Sequence, residues 1–259
     1  MSFQVDLNCD MGESFGAYSI GNDEEVIHHI TSANIACGFH ASDPAVMEKT
    51  VGLCRENGVR VGAHPGYPDL IGFGRRFLDM DYPELMSALV YQVGALTGFT
   101  RLLGEELQHV KLHGALYNFM VREEERFVEI AGRLKKAFGD IIFVTLGTGR
   151  SAELKNACRK IGLRIALEAF PDRMYTDEGE LMPRKEKEAV LKDPDRIARR
   201  AVDMVVNRGV ESAGGRWISM DIDTLCIHGD NRQSIVAAGM IRDLAAKEGV
   251  AIRPVSEFV

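Results

Sequence analysis

Two hydrophobic periods take turns along the chain. Short apolar or alternating runs are followed by stretches in which apolar residues recur every three to four positions. The short runs predict strands near Val5–Cys9, Ala33–Cys37, Val59–His64, Val110–His113, Ile141–Leu146, Arg164–Ala169 and Thr224–His228. The longer pattern predicts helices over Pro44–Asn57, Pro83–Gly104, Glu123–Phe138, Ser151–Ile161, Pro194–Asn207 and Arg232–Glu248. Asp43-Pro44 and Asp193-Pro194 place proline in a first helical turn, and Gly58, Gly139, Gly162, Gly209 and Gly249 stand where helices should stop. Strand-then-helix alternation predicts a parallel sheet covered by helices. With no Ser/Pro linker and no low-complexity run, residues 1–259 are expected to form one domain.

Seven strands fit either an open doubly wound sheet or a closed barrel, and the parity of the strands chooses between them. In the first, Val5, Leu7 and Cys9 oppose Asp6, Asn8 and Asp10; in the third, Val59, Val61 and Ala63 oppose Arg60, Gly62 and His64. Val110 and Leu112 oppose Lys111 and His113, and Leu225 and Ile227 oppose Cys226, His228 and Asp230. Open parallel sheets bury both faces and read as continuous apolar runs. One polar face, repeated strand after strand, predicts a seven-stranded parallel β/α barrel with a site at its mouth.

Composition narrows the function classes. The chain is 46% hydrophobic and 27% charged, which excludes a disordered chain. A net charge of −7 disfavours nucleic acid and acidic membranes as partners, because little Lys and Arg is left over to neutralise phosphates. No stretch approaches the roughly 18 uncharged apolar residues of a membrane span. No leader is expected at the N-terminus, and five scattered cysteines without a C-x-x-C pair predict reduced thiols and a cytoplasmic location.

In parallel α/β folds the chemistry sits at the C-terminal ends of strands. Those ends collect Asn8, Asp10 and Glu13; His40; His64; Lys111 and His113; Glu168, Asp172 and Arg173; and His228 and Asp230. One histidine at a strand end is usually structural, but four of the seven around one rim point to chemistry. Such a set can hold a divalent metal, or act as general acid and base without one, and the residues alone do not separate the two. Two loops add cations. Gly72-Phe73-Gly74-Arg75-Arg76 could clamp an anion, and Phe170 to Arg184 is long enough to form a lid. Gly147-Thr148-Gly149-Arg150-Ser151-Ala152 matches a dinucleotide fingerprint, yet a phosphate-binding or close-packing turn suits its mid-chain place better. There is no Gly-Lys dipeptide and hence no Walker A loop. Cys9 alternates onto the apolar face, and neither a cysteine nor a serine nucleophile is expected.

Several runs together resemble the LamB/YcsF family over most of the chain. They are Val5 to Glu13 (VDLNCDMGE), Ala33 to His40 (ANIACGFH), Gly62-Ala63-His64-Pro65, Gly72 to Arg76, His113 to Asn118 (HGALYN), Asp172-Arg173-Met174-Tyr175 and Cys226 to Asp230 (CIHGD). Leu112 stands where the family has proline, and Ser42 where it usually has glycine. The resemblance implies a barrel of the glycoside hydrolase/deacetylase type. It also implies hydrolysis of the lactam 5-oxo-L-proline to L-glutamate, driven by ATP that this chain or its partners bind. Two partner subunits, B and C, are implied, and a homo-oligomer is left open. Under that reading Asp10, His40 and His64 activate water or bind a metal, and His113 or His228 protonates the leaving nitrogen. Arg75, Arg76 or Arg173 holds the substrate carboxylate, with Asn8, Glu13, Lys111 and Asp172 completing the binding set. The competing classes are a stand-alone metal-dependent amidase or deacetylase, and a substrate-binding subunit without catalysis. On a polar rim, alanine at Asp10, His40 or His64 is expected to abolish turnover with little change in melting temperature.

Overall fold

A computed structural model describes residues 3–229 and 232–259. In chain order its first half runs β1 (Phe3–Met11), α1 (Asp23–Val26), β2 (Ser32–Ala36), α2 (Pro44–Glu56), β3 (Arg60–His64), α3 (Tyr82–Leu102), β4 (Leu107–Lys111), α4 (Gly114–Arg122) and α5 (Glu124–Phe138). It continues with β5 (Ile142–Leu146), α6 (Ser151–Lys160), β6 (Arg164–Ala169), α7 (Pro194–Val206), β7 (Gly209–Glu211), β8 (Trp217–Ser219), β9 (Thr224–Ile227), α8 (Arg232–Lys247) and β10 (Val250–Ile252), then a 3₁₀ turn over Val255–Glu257. β1 to β6 pair in sequence, β6 pairs β9, and β9 returns to β1, all parallel, which closes a seven-stranded barrel. β10 pairs with Phe3–Val5 at the lower end of β1, and β7 and β8 form a separate antiparallel hairpin.

The Asp-Pro signals hold. Asp43 accepts from the Ala45 and Val46 amides and Asp193 from the Asp195 amide, with Pro44 and Pro194 opening α2 and α7. The fourth strand differs from expectation: it starts three residues and ends two residues earlier than the alternation suggested. Its register against β3 shifts between Val61 and Gly62, whose partners are Leu107 and His109, so Gln108 is an extra residue in a bulge. A bulge breaks period-two reading, and α4, β7, β8 and β10 are too short to announce themselves by periodicity.

Outward-facing Val5, Leu7, Cys9 and Met11 join the main hydrophobic core under the helices. The bore is different. Ile142, Val144, Ala166 and Val255 seal its floor. Above them the inward side chains are polar and hydrogen-bonded, as burial demands. Asp6 accepts from Ser32 Oγ (2.6 Å), Thr31 Oγ1 (2.7 Å) and Thr224 Oγ1 (2.5 Å). One layer higher, Asn34 donates to Asn8 Oδ1 (2.7 Å) and accepts from His109 Nε2 (2.7 Å). A Cβ at Gly62 would overlap the His109 ring, so glycine there makes room for an imidazole inside the barrel.

Candidate active site

Three buried imidazoles stand together at the mouth: His40 after β2, His64 at the end of β3, and His113 at the N-cap of α4. His40 and His113 stack at 3.7 Å, and His64 meets both edge-on. His64 Nδ1 donates to the Lys111 carbonyl (2.8 Å) and His113 Nε2 to the Phe73 carbonyl (2.8 Å). In neutral rings the remaining nitrogens, His64 Nε2 and His113 Nδ1, then carry lone pairs, and they face each other at 3.0 Å. Two lone pairs at that distance repel, so a proton or a cation belongs between them. Both His40 nitrogens are buried without a partner. Glu13, His40, His64 and His113 each bring one metal-ligating atom within 4.8 Å of the others. Burial first, then the neighbouring imidazoles, holds His40 well below the usual histidine range and His113 down to about 3. Gly74 has φ +61, and a Cβ there would press on His113 and His40; the loop backbone lies directly against the rings.

Lys111 is the hub beneath them. Its ammonium sits 2.9 Å from Asp10 Oδ1 and 2.7 Å from Glu168 Oε1, and donates to Asn8 Oδ1 and Cys226 Sγ at 3.3 Å. Burial favours loss of the proton, but Asp10, then Cys226 and Glu168, outweigh it and push Lys111 well above its usual value. For Asp10 burial likewise opposes charge, and His64 and Lys111 outweigh it, holding the carboxyl well below the usual range. Asp10 Oδ2 lies 3.3 Å from His64 Nε2, and Tyr117 donates to Glu168 Oε2 at 2.8 Å.

Facing this wall, His228 Nδ1 donates to Asp172 Oδ2 (2.6 Å) and its Nε2 accepts from Arg184 Nη2 (2.7 Å). Burial opposes the Asp172 charge, but His228 and then Arg184 keep its carboxyl low. Arg173 is buried, donates to the Met182 carbonyl, and leaves its Nε without a partner. Both walls line one cavity of about 900 Å³. Its volume exceeds what a proline-sized lactam fills.

Of the residues singled out in the sequence, Asp10, Glu13, His64, Arg75, Lys111, His113, Arg173 and His228 line this cavity. His40 is fully buried against His113, Asn8 lies one layer down, and Asp172 stands behind His228. Arg76 is a correction. Its guanidinium turns away to form an ion pair with Asp69 across the same loop, and it does not line the cavity. Burial is another: His40 and His64 are 0% and 1% exposed, so they form interior structure and not a solvent-washed rim. In the Gly147 turn the glycine packs closely, as its amide bonds the Glu168 carbonyl and a Cβ would sit 3.1 Å from the Asp221 carbonyl, while Thr148, Gly149 and Arg150 after it line the cavity. Thr148 and Ser151 amides are spent within that turn.

Sequence reasoning left Tyr117, Cys226, His109 and Arg184 unassigned, and Glu168 without a role. Cys226 shares the polar parity of β9, which was a usable signal; Tyr117 sits on the unforeseen α4, and the bulge hid His109. No G-x-S-x-G is expected in the chain, and that is a correction: Gly12-Glu13-Ser14-Phe15-Gly16 has this form of a serine nucleophile. Its Ser14 Oγ exchanges hydrogen bonds with Ile20 and only ties the loop. Asp230, placed after the last strand, lies outside the described residues.

The combination of this barrel and this mouth has relatives. The A-type subunit of 5-oxoprolinase from Pyrococcus horikoshii is 48% identical over 256 residues, covering 99% of each chain. Its counterpart from Bacillus subtilis is 45% identical over 255 residues, 98% of each. The crystal structure of a lactam utilization protein from Thermus thermophilus superposes with a TM-score of 0.87 at 41% identity, over 96% of this chain and 99% of that one. The LamB/YcsF family model matches residues 5–259, a range that includes both walls of the cavity, and the chain belongs to that family.

Proposed function

We propose that this chain is the A-type subunit of an ATP-dependent 5-oxoprolinase. As one barrel domain it opens 5-oxo-L-proline to L-glutamate, together with B- and C-type partner subunits in the cytoplasm. The carrying observation is a cavity with a carboxylate–lysine–imidazole wall on one side and, on the other, the buried Arg173 guanidinium, whose Nε has no partner. A lactam with a carboxylate has one end for each wall. Arg173, with Arg75 beside the mouth, holds the substrate carboxylate by charge-assisted hydrogen bonds. Lys111 orients Asp10, and Asp10 accepts the proton of the attacking water. As the C–N bond breaks, its electron pair stays on nitrogen, and His228, oriented by Asp172, delivers the proton that nitrogen needs.

The mouth also fits a divalent metal. The partnerless His40 nitrogens and the two facing lone pairs are ligand atoms in waiting, and the N–H groups opposite them rest on backbone carbonyls, as in metal-bound histidines. Glu13, His40, His64 and His113 would hold the ion; Asp10, expected among the ligands, belongs to the lysine instead. Such an ion supplies a Lewis acid for the lactam carbonyl. ATP is assigned to the partners because this chain has no Walker A loop. Exposed Tyr18, Ile71 (93% exposed) and Phe77, on the loops after β1 and β3, offer those partners an apolar landing at the mouth.

The test is glutamate release from 5-oxoproline by this chain alone and with its B- and C-type partners plus ATP. Release is expected only from the full set. Comparable ATP-dependent turnover by the chain alone overturns the dependence on partners, and silence of the full set overturns the substrate.

A further inference from the structure

We infer that Arg184 is a substrate-operated cap on His228, lifted when a carboxylate enters the cavity. The inference deepens the proposed function and rests on it for the identity of the substrate. Asp172 fixes the proton of His228 on Nδ1, which leaves Nε2 as the ring's working lone pair. In the structure that lone pair is occupied, because Arg184 Nη2 donates to it at 2.7 Å. A neutral imidazole nitrogen is a weak partner for a guanidinium compared with a carboxylate, which takes two parallel charge-assisted bonds. Arg184 has no carboxylate within ion-pair distance among the described residues, since the nearby Asp172 is spent on His228. Its neighbour Arg173 is 7% exposed, leaves its Nε without a partner, and likewise has no ion pair among the described residues. Two guanidiniums therefore share one wall whose nearby carboxylate, Asp172, is hydrogen-bonded to His228 and forms an ion pair with neither.

The loop is built to let Arg184 move. Bridges Arg173–Val190 and Tyr175–Leu181 anchor it to itself, while Arg184 lies exposed in the turns between Leu181 and Val190. An incoming carboxylate satisfies Arg173 and draws Arg184 off His228. Nε2 is then free to take up a proton from water and pass it to the lactam nitrogen as the C–N bond opens. A lactam without a carboxylate meets a capped His228. Arg184 is thus a positioning and specificity residue, and it makes catalysis conditional on the anionic end of the substrate.

Two measurements test this. Diethyl pyrocarbonate acylates unprotonated, unobstructed imidazole nitrogens, and the exposed His28 serves as internal reference. Acylation of His228 in the chain alone, followed by peptide mass spectrometry, should be several-fold faster in Arg184→Met than in wild type, with His28 unchanged. Equal His228 rates overturn the cap. In the assembly with partner subunits and ATP, Arg184→Met should lower turnover of 5-oxoproline and raise that of 2-pyrrolidinone, which lacks the carboxylate. The preference between them should shrink by about tenfold or more. An unchanged preference overturns the gating, whereas a wild-type assembly that turns over neither lactam fails the substrate assignment and leaves the acylation result standing on its own.

Discussion

At the scale of single residues, the unusual element is how many ionisable groups the bore encloses. Asp6 is the deepest. Burial outweighs the hydrogen bonds from Ser32, Thr224 and Thr31 and pushes its carboxyl up to about 6, from 3.8. A raised folded value means that the unfolded chain releases this proton first as pH rises. The stability Asp6 contributes is therefore complete below about pH 4 and gone above about pH 6, a loss of about 3 kcal/mol. Asp6→Asn should remove that slope: urea midpoints of wild type and variant should converge or cross between pH 4 and 6 and run parallel above it. A constant difference across that window would refute the assignment. His64→Ala tests the other end of the ladder. It strips the Lys111 carbonyl of its donor and opens a void among buried rings, and should cost about 2 kcal/mol or more in addition to activity. A variant with wild-type thermal stability would return His64 to the solvent-washed rim expected from sequence.

At the scale of elements, what was legible in the chain and what was not divide along one line. Strands whose inward residues alternate cleanly, such as β1 and β3, were readable together with the site residues they carry. So were α2 and α7, whose Asp-Pro starts are chemical signals independent of period. β4 was misread where Gln108 bulges, because an added residue flips the apparent face of everything before it. The destination of Arg76 was not legible at all, since Arg75 and Arg76 differ only in which side of a turn they leave. Ser42, noted as a departure from the family's glycine, now has a physical reading. It occupies φ +75 just before the α2 cap, a conformation that strains any residue with a Cβ. Ser42→Gly should stabilise the protein by about 1 kcal/mol, the relieved strain exceeding the extra entropy of glycine in the unfolded chain. Urea denaturation checks this, and a loss of stability would mean that the serine hydroxyl matters more than the backbone.

At the scale of the whole molecule, the two walls of the cavity come from opposite halves of the barrel. The imidazole cluster arises from β2, β3 and the start of α4, and the His228 wall from the β6 loop and the end of β9. Only the closed ring brings them face to face, and Lys111 on β4 reaching Asp10 on β1 and Glu168 on β6 ties the halves together. No helix among the described residues is long and apolar enough to cross a membrane. The closure itself sets a timetable for the chain during synthesis. β1 leaves the ribosome long before β9 and β10, so its edge waits for the first and its lower end for the second, while Val255 follows both to stop the bore. Until those later residues emerge, Asp6, Asn8 and Asp10 line an open trough. A nascent barrel therefore exposes a polar seam where most unfinished domains expose an apolar one, and chaperones that recognise greasy surface have less to grip on the inside of this chain than on its helices.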